Sequence, residues 1–80
     1  MDRIYLNNLF DCYESLLTEK ERQYFKDYYA DDLSLAEIAL NYNVSRSAVQ
    51  KSLKKIQEKL EQYENNLEVF ALRSKLAGLS

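Results

Sequence analysis

The sequence has 80 residues, of which 46% are hydrophobic and 30% are charged. That length suits one small domain, and that composition is too apolar for a disordered chain. With one cysteine and no histidine, the chain lacks the residues for an internal disulfide or a structural zinc site. No apolar run approaches the roughly 18 residues that a membrane span requires, and no signal peptide is visible. The sequence therefore predicts a globular, cytoplasmic protein without membrane insertion.

The formal net charge of −2 is distributed unevenly along the chain. Residues 1–43 carry a net charge of −5, residues 44–59 carry +4, and residues 60–80 carry −1. Binding to a nucleic acid depends on clustered lysine and arginine side chains, because they displace the counterions of the phosphates. A polyanionic partner is therefore expected to contact the middle segment only.

Helical signals follow one another along the first half of the chain. Apolar residues at helical spacing predict a first helix, and they are Leu6, Leu9, Phe10, Tyr13, Leu16 and Leu17. Thr18 to Glu21 and Ser34 to Glu37 have the form of capping boxes, which begin a second and a third helix. Asn43 is suited to the left-handed conformation that ends a helix. Because proline is absent and the one glycine is Gly78, the fold is predicted to be all-α.

A helix-turn-helix is predicted in the middle of the chain. Ser45 has the character of a third N-cap, and good helix formers follow it for about thirty residues, weakened only at Asn65-Asn66. The short third helix, the tight turn and the capped fourth helix form the arrangement in which the second helix of the motif enters the DNA major groove. We therefore predict a small helix-turn-helix domain over residues 1–62, with the motif itself at about residues 34–59.

The fourth helix is predicted to have one buried face and one cationic face. The buried stripe on a helical wheel consists of Val49, Leu53, Ile56 and Leu60. The candidate nucleic-acid-binding residues surround the other side: Ser45, Arg46, Ser47, Gln50, Lys51, Lys54 and Lys55. Glutamine can bond an adenine edge, whereas arginine and lysine reach guanine edges or phosphates. A lysine-rich face that is only solvated is the alternative interpretation.

Four strings of the sequence carry a resemblance to known proteins. They are Leu-Thr-Glu-Lys-Glu-Arg at 17–22, Tyr-Tyr-Ala-Asp-Asp at 28–32, Ser-Leu-Ala-Glu-Ile-Ala at 34–39 and Val-Ser-Arg-Ser-Ala-Val at 44–49. These strings resemble region four of bacterial sigma factors, whose helix-turn-helix reads the promoter −35 element. They resemble more closely the YlxM-like family of small proteins, which are encoded beside signal recognition particle genes.

The resemblance implies an all-helical, sigma region-four-like fold and a DNA-binding regulator with a link to protein export. It places the family's cap-and-arginine pair on Ser45 and Arg46, and its recognition-helix residues on Ser47, Gln50, Lys51 and Lys54. The family's turn usually has glycine where this chain has Asn43. Members of the family typically run longer than this chain. The alternative function is that of an accessory factor of the signal recognition particle, which acts through RNA or protein contacts without binding DNA.

A seam for self-association is predicted along a long C-terminal helix. Apolar residues from Val49 onward recur every three or four positions, a heptad spacing that favours a coiled coil in a continuous helix over residues 46–76. The predicted dimer interface consists of Ile56, Leu60, Tyr63, Leu67 and Phe70. In a parallel homodimer, Lys59 would face Glu64 of the partner. Residues 63–80 then form a helical extension and dimerisation surface. Alternatively, the chain bends at Asn65-Asn66, and residues 67–76 fold back over the first helix.

No constellation of catalytic residues is visible in the sequence. There is no histidine, no activated nucleophile and no glycine-rich phosphate loop. Cys12 is expected to be a buried or half-buried thiol, and Asp27, Asp31 and Asp32 are expected to be solvated rather than to hold a metal. The sequence therefore predicts a non-enzyme without metal or cofactor.

Overall fold

The chain folds into helices joined by short turns in a computed structural model, which describes residues 2–76. Within that range the structure has five α-helices and no strand: α1 (Arg3–Tyr13), α2 (Glu19–Phe25), α3 (Leu35–Tyr42), α4 (Arg46–Leu67) and α5 (Val69–Leu76). A 3₁₀ turn, Glu14–Leu16, follows α1, and a π-helical segment, Lys26–Ala30, continues α2. The all-α prediction is confirmed. Gly78 and the end of the predicted extension lie outside the described residues.

The predicted capping boxes begin α2 and α3. The Thr18 hydroxyl accepts a hydrogen bond from Glu21 N at 3.1 Å, and the Glu21 carboxylate accepts one from Thr18 N at 2.9 Å. Ser34 and Glu37 form the same reciprocal pair, with both distances 3.1 Å. These bonds satisfy backbone N–H groups that have no partner within the helix. Local sequence therefore determines where these two helices begin.

The central element of the fold is α4, which packs against α1, α2 and α3. Its buried stripe is the predicted one, at most 5% exposed: Val49, Leu53, Ile56 and Leu60. The first helix contributes to the same core Leu6, Leu9, Phe10 and Tyr13. Phe10 stacks on Phe25 of α2, with ring centroids 4.3 Å apart. The core fixes one side of α4 and leaves the opposite side accessible.

The continuous helix predicted for residues 46–76 is wrong. The fourth helix stops one residue before Glu68, which adopts a left-handed conformation with φ 51° and ψ 33°. The chain turns there, and α5 packs against α1. The rings of Phe70 and Tyr5 meet edge to face, with 5.9 Å between centroids. The structure therefore matches the alternative in which the last helix folds back over the first, although the turn falls at Glu68 rather than at Asn65-Asn66.

A buried carboxylate explains the break after α4. Glu64 is 9% exposed, and its carboxylate accepts hydrogen bonds from Phe70 N and Ala71 N, both at 3.1 Å. The Tyr13 hydroxyl donates to the same carboxylate and accepts from Val69 N at 3.0 Å. Side chains thus satisfy three N–H groups at the start of α5, and a negative charge lies at the positive end of that helix. A continuous helix would leave the buried carboxylate without these two backbone donors.

The predicted dimer interface also needs a correction. Ile56 and Leu60 are 1% and 0% exposed, so they pack inside the protein and are not available to a second copy. Lys59 binds Glu21 of α2, with 2.8 Å between Nζ and Oε2. The Glu64 carboxylate accepts hydrogen bonds from Tyr13 of α1 and Phe70 of α5. Both partners of the predicted intermolecular ion pair are therefore used within the protein.

The remaining residues of the predicted seam have separate environments. Tyr63 is half-buried against Tyr13, with ring centroids 5.9 Å apart, and Phe70 is half-buried against Tyr5. Leu67 is 54% exposed at the end of α4. The described part of residues 63–80 therefore packs on α1 and does not project from the domain as an extended helix.

Candidate nucleic-acid interface

The turn between α3 and α4 is built by one left-handed residue. Asn43 has φ 56° and ψ 47°, the conformation that the sequence predicts for it. The Asn43 N–H donates to the Leu40 carbonyl at 3.3 Å, and the Val44 N–H donates to the Ala39 carbonyl at 3.0 Å. These bonds end α3 and lead the chain directly into α4. The two helices of the motif are consequently held by a tight turn.

The third helix supports the first half of α4. Ile38 of α3 and Val49 of α4 are both 0% exposed, and the small side chain of Ala39 is 6% exposed. The Tyr42 hydroxyl donates to the carboxylate of Asp27 at 2.9 Å, which ties the end of α3 to the π-helical segment. A binding surface keeps its geometry only when packing locks the element that presents it. Packing against α3 therefore fixes the position of the first half of α4.

The N-terminus of α4 is capped and accessible. The Ser45 hydroxyl accepts a hydrogen bond from Ala48 N at 3.0 Å, as the sequence predicts for an N-cap. The first turn of α4 contains no acidic residue, so no carboxylate there neutralises the partial positive charge of the helix end. Arg46 and Ser47 are exposed beside it. This end of the helix has the chemistry that binds a phosphate group.

All seven predicted nucleic-acid-binding residues are exposed on the surface of the N-terminal half of α4 and its cap. We call this surface the cationic face, and its residues are Ser45, Arg46, Ser47, Gln50, Lys51, Lys54 and Lys55. From Arg46 to Lys55 the helix rises about 14 Å, or about two and a half turns. Glu58 and Glu61 are exposed further along α4 and confine the cationic face to the N-terminal half of the helix.

The basic side chains of the cationic face take no part in the ion pairs of the described residues. In the part of the chain that the structure describes, the ion pairs are Arg3–Asp32 and Lys59–Glu21, both at 2.8 Å. Hydrogen bonding to Glu21 raises the pKa of Lys59, which belongs to the scaffold. The cations of the face that have no ion-pair partner among residues 2–76 are Arg46, Lys51, Lys54 and Lys55.

Comparison with known proteins agrees with this geometry. The family model of YlxM- and p13-like helix-turn-helix proteins, UPF0122, matches residues 1–79. The chain belongs to this family. The resemblance seen in the sequence strings is confirmed, and the helix-turn-helix of this chain consists of α3, the turn at Asn43 and α4.

UPF0122 proteins of several bacteria are similar to this chain. Identity is 52% over 66 residues with that of Halalkalibacterium halodurans, covering 82% of this chain and 61% of the relative. Identity with the UPF0122 protein of Shouchella clausii is 55% over 62 residues, covering 78% of this chain and 57% of the relative. Identity with the UPF0122 protein of Lactococcus lactis subsp. cremoris is 48% over 66 residues, covering 82% of this chain and 60% of the relative. The chain thus spans about three fifths of the length of these UPF0122 relatives.

The surroundings of Gln50 and Lys54 were not foreseen from the sequence. These residues line a concave pocket together with Tyr28, Tyr29 and Gln57. The Gln57 side-chain amide donates to the Tyr29 hydroxyl, so two of the lining residues are hydrogen-bonded to each other. Apolar periodicity gives no sign that a π-helical segment brings these tyrosines to α4. They add aromatic surface beside the cationic face.

An exposed leucine within the motif was also missed. Leu40 of α3 is 85% exposed and shares a shallow groove with Val44 and Arg46. On a helical wheel Leu40 lies about 200° from the buried Ile38, which is a signal that the sequence does contain. An apolar group therefore borders the cationic face at the turn of the motif.

The expectation for Asp27 was wrong. Its side chain is 6% exposed instead of solvated, and its carboxylate accepts hydrogen bonds from Gln23 Nε2 at 2.8 Å and from the Tyr42 hydroxyl at 2.9 Å. Burial and this hydrogen bond to Asp27 raise the pKa of Tyr42 to about 12. The carboxylate therefore holds α2 and α3 together.

Cys12 is half-buried, as expected, and Arg73 Nη1 lies 3.4 Å from its sulfur. Between residues 2 and 76 there is no group of three or more potential ligands that could hold a metal ion. None of the helices in that range is long and apolar enough to cross a membrane.

Proposed function

We propose that this chain is a non-enzymatic regulatory protein that binds double-stranded DNA through α4. The observation that carries the proposal is the cationic face, whose basic side chains have no ion-pair partner among residues 2–76. The helix that presents this face is held in place by α3 and a tight turn. In helix-turn-helix proteins, a helix in this position lies in the major groove.

The residues of the cationic face would divide into two roles. Arg46 and the N-terminus of α4 would hold a phosphate, with Ser45 and Ser47 beside them. Gln50 can form two hydrogen bonds with an adenine edge, and it lies one turn further into the helix. Lys51 and Lys54 can reach a guanine edge or a phosphate.

The charge distribution predicts strong dependence on salt. A protein that neutralises Z phosphates loses affinity with a logarithmic slope of about −0.9Z against salt concentration, so four contacts give a slope of about −3.6. The net charge of −2 means that the rest of the surface is acidic and repels DNA. We therefore expect moderate affinity that is best measured at low salt.

The variant Lys51→Glu with Lys54→Glu tests the proposal. Reversing two exposed charges of the cationic face should weaken binding to a selected duplex at least about a hundredfold at low salt, measured by fluorescence anisotropy. Circular dichroism should show unchanged helix content, because both side chains are exposed. Undiminished binding by this variant, or no binding of the unmodified chain to any duplex from a genomic selection, would contradict DNA recognition by α4.

A single-residue comparison separates the cationic face from net charge. Lys26→Glu and Lys51→Glu change the charge equally, but Lys26 is exposed in the π-helical segment, outside α4. Lys51→Glu should weaken duplex binding about tenfold, and Lys26→Glu should have a much smaller effect. Equal effects would indicate nonspecific attraction to the whole protein.

RNA of the signal recognition particle is the competing partner that the family resemblance implies. DNA is favoured because the B-form major groove, about 12 Å wide, admits a helix such as α4. The A-form major groove of duplex RNA is too narrow and deep to be read in this way. In a competition assay, duplex DNA should displace a labelled duplex better than the RNA does. Tighter binding to the RNA than to any selected duplex would instead support the accessory-factor function.

A further inference from the structure

The last helix has one face against α1 and one face in solvent. Val69 and Phe70 are half-buried against the core, whereas Leu72 is 56% exposed and Leu76 is 80% exposed. Leu67, at the end of α4, is 54% exposed beside them. We call this surface the α5 outer face, and its residues are Leu67, Glu68, Ala71, Leu72, Lys75 and Leu76. Leu67 and Leu72 line one groove, and Leu76 follows Leu72 by one helical turn, so three exposed leucines lie near one another on this surface.

The α5 outer face is held in a fixed orientation. The carboxylate of Glu64 and the hydroxyl of Tyr13 bind the backbone N–H groups at the start of α5. Phe70 packs on Tyr5, and Arg73 contacts Cys12 on the inner side of the helix. A surface that is already ordered loses little conformational entropy when a partner binds.

The α5 outer face is complementary to itself when two copies lie antiparallel. A twofold axis between Ala71 and Leu72 places Glu68 of each copy level with Lys75 of the other, since both are equally distant from the axis along the chain. Neither Glu68 nor Lys75 has an ion-pair partner among the described residues. The axis also brings the two Leu72 side chains together, with Leu76 of each copy beside them.

We propose that the α5 outer face is a self-association surface, and that its occupant is the same face of a second copy in antiparallel orientation. The exposed leucines supply the apolar contact, and the two Glu68–Lys75 pairs set the direction. This surface replaces the seam predicted along α4, whose residues Ile56 and Leu60 are buried. It does not depend on DNA binding.

The size of the surface predicts a weak dimer. One face of an eight-residue helix covers less than the roughly 800 Å² per partner of a standard interface. Association is therefore expected between about 10 μM and about 1 mM, as for other small interfaces. Sedimentation velocity of the 80-residue chain over this range should show a reversible shift from monomer to dimer.

The variant Leu72→Glu tests the apolar contact. It places two carboxylates at the twofold axis and should weaken dimerisation at least about tenfold. Leu40→Glu is the matched control, because Leu40 is exposed on α3, away from α5, and should leave dimerisation unchanged. Helix content of both variants, measured by circular dichroism, should equal that of the unmodified chain.

Charge-reversal variants test whether the two α5 helices lie antiparallel and are related by a twofold axis. Glu68→Lys and Lys75→Glu should each weaken self-association about tenfold, because every pair becomes repulsive. An equimolar mixture of the two variants should associate as strongly as the unmodified chain, since both pairs are attractive in the mixed dimer. Hetero-association without self-association would support the twofold arrangement.

Three results would overturn the proposal. A monomer at about 1 mM would exclude the surface as a self-association site. A Leu72→Glu variant that dimerises like the unmodified chain would place any dimer contact elsewhere. A mixture of the two charge variants that stays monomeric would exclude the antiparallel pairing of Glu68 and Lys75.

Discussion

The two turns that flank α4 have the same backbone conformation but different causes. Each depends on one residue in the left-handed region, Asn43 with φ 56° before α4 and Glu68 with φ 51° after it. Asparagine adopts this conformation readily, whereas for most other residues it costs about 1 kcal/mol or more. The first turn is favoured by its own sequence, and the second must be stabilised from outside.

The sources of stabilisation differ in their distance along the chain. The first turn is followed within two residues by Ser45, which caps α4 through Ala48 N. The second turn depends on Glu64 and on Tyr13, which are 51 positions apart. A turn of the first kind can be recognised from a short window of sequence, and a turn of the second kind cannot.

A tyrosine bound to a buried carboxylate lies beside each turn. Tyr42 donates to Asp27 at the end of α3, and Tyr13 donates to Glu64 at the start of α5. Burial, together with the carboxylate, raises the pKa of both tyrosines, to about 12 for Tyr42. Neither buried carboxylate could be recognised from the charge pattern alone.

The largest effect in this comparison is expected from Glu64→Ala. The substitution removes the acceptor for Phe70 N and Ala71 N and leaves the buried Tyr13 hydroxyl without its acceptor. We expect a loss of about 2–3 kcal/mol in the free energy of unfolding, measured with urea. Hydrogen exchange should show lost protection in α5, while α3 and the start of α4 stay protected.

The control for that substitution is Glu61→Ala, which removes an exposed carboxylate one turn earlier on α4. Its effect on the free energy of unfolding should stay within about 0.5 kcal/mol. Equal effects of the two substitutions would show that the second turn does not depend on the buried carboxylate.

A smaller effect is expected from changing Asn43. Asn43→Val places a β-branched residue at φ 56° and should lower the free energy of unfolding by about 1–2 kcal/mol. Asn43→Gly permits the same backbone and should change it by less than about 0.5 kcal/mol. Thermal unfolding of the two variants measures the difference, and a valine variant as stable as the glycine variant would contradict a local origin of the turn.

Ionisation of Tyr42 is expected to have the smallest effect on the free energy of unfolding near neutral pH. The pKa of Tyr42 is raised from 10.0 to about 12. The protonated hydroxyl therefore contributes fully to the free energy of unfolding below pH 10, and this contribution is lost as pH rises toward 12. Urea unfolding between about pH 9 and pH 12 should show this decline, and Tyr42→Phe should make it shallower. A stability that is constant across this range would contradict the raised pKa.

Much of the candidate site could be predicted from the sequence. The exposed positions of Gln50, Lys51 and Lys54 follow from helical periodicity once the N-cap at Ser45 is recognised. The role of Lys59 could not be predicted, because its partner Glu21 is 38 positions away in α2. The aromatic pocket beside the site depends on a π-helical segment, for which the sequence has no known local signal.

By itself, the sequence determined where α2, α3 and α4 begin, the left-handed turn at Asn43, and the division of α4 into apolar and cationic faces. These features depend on residues within about four positions of one another. Only the tertiary structure decided where α4 ends and which leucines stay exposed on α5. A heptad pattern is compatible with a continuous helix that packs against a second copy. It is equally compatible with two helices, separated by a turn, of which the second packs against α1 of the same chain. The choice between them depended on Glu64, whose hydrogen-bond donors exist only in the folded chain.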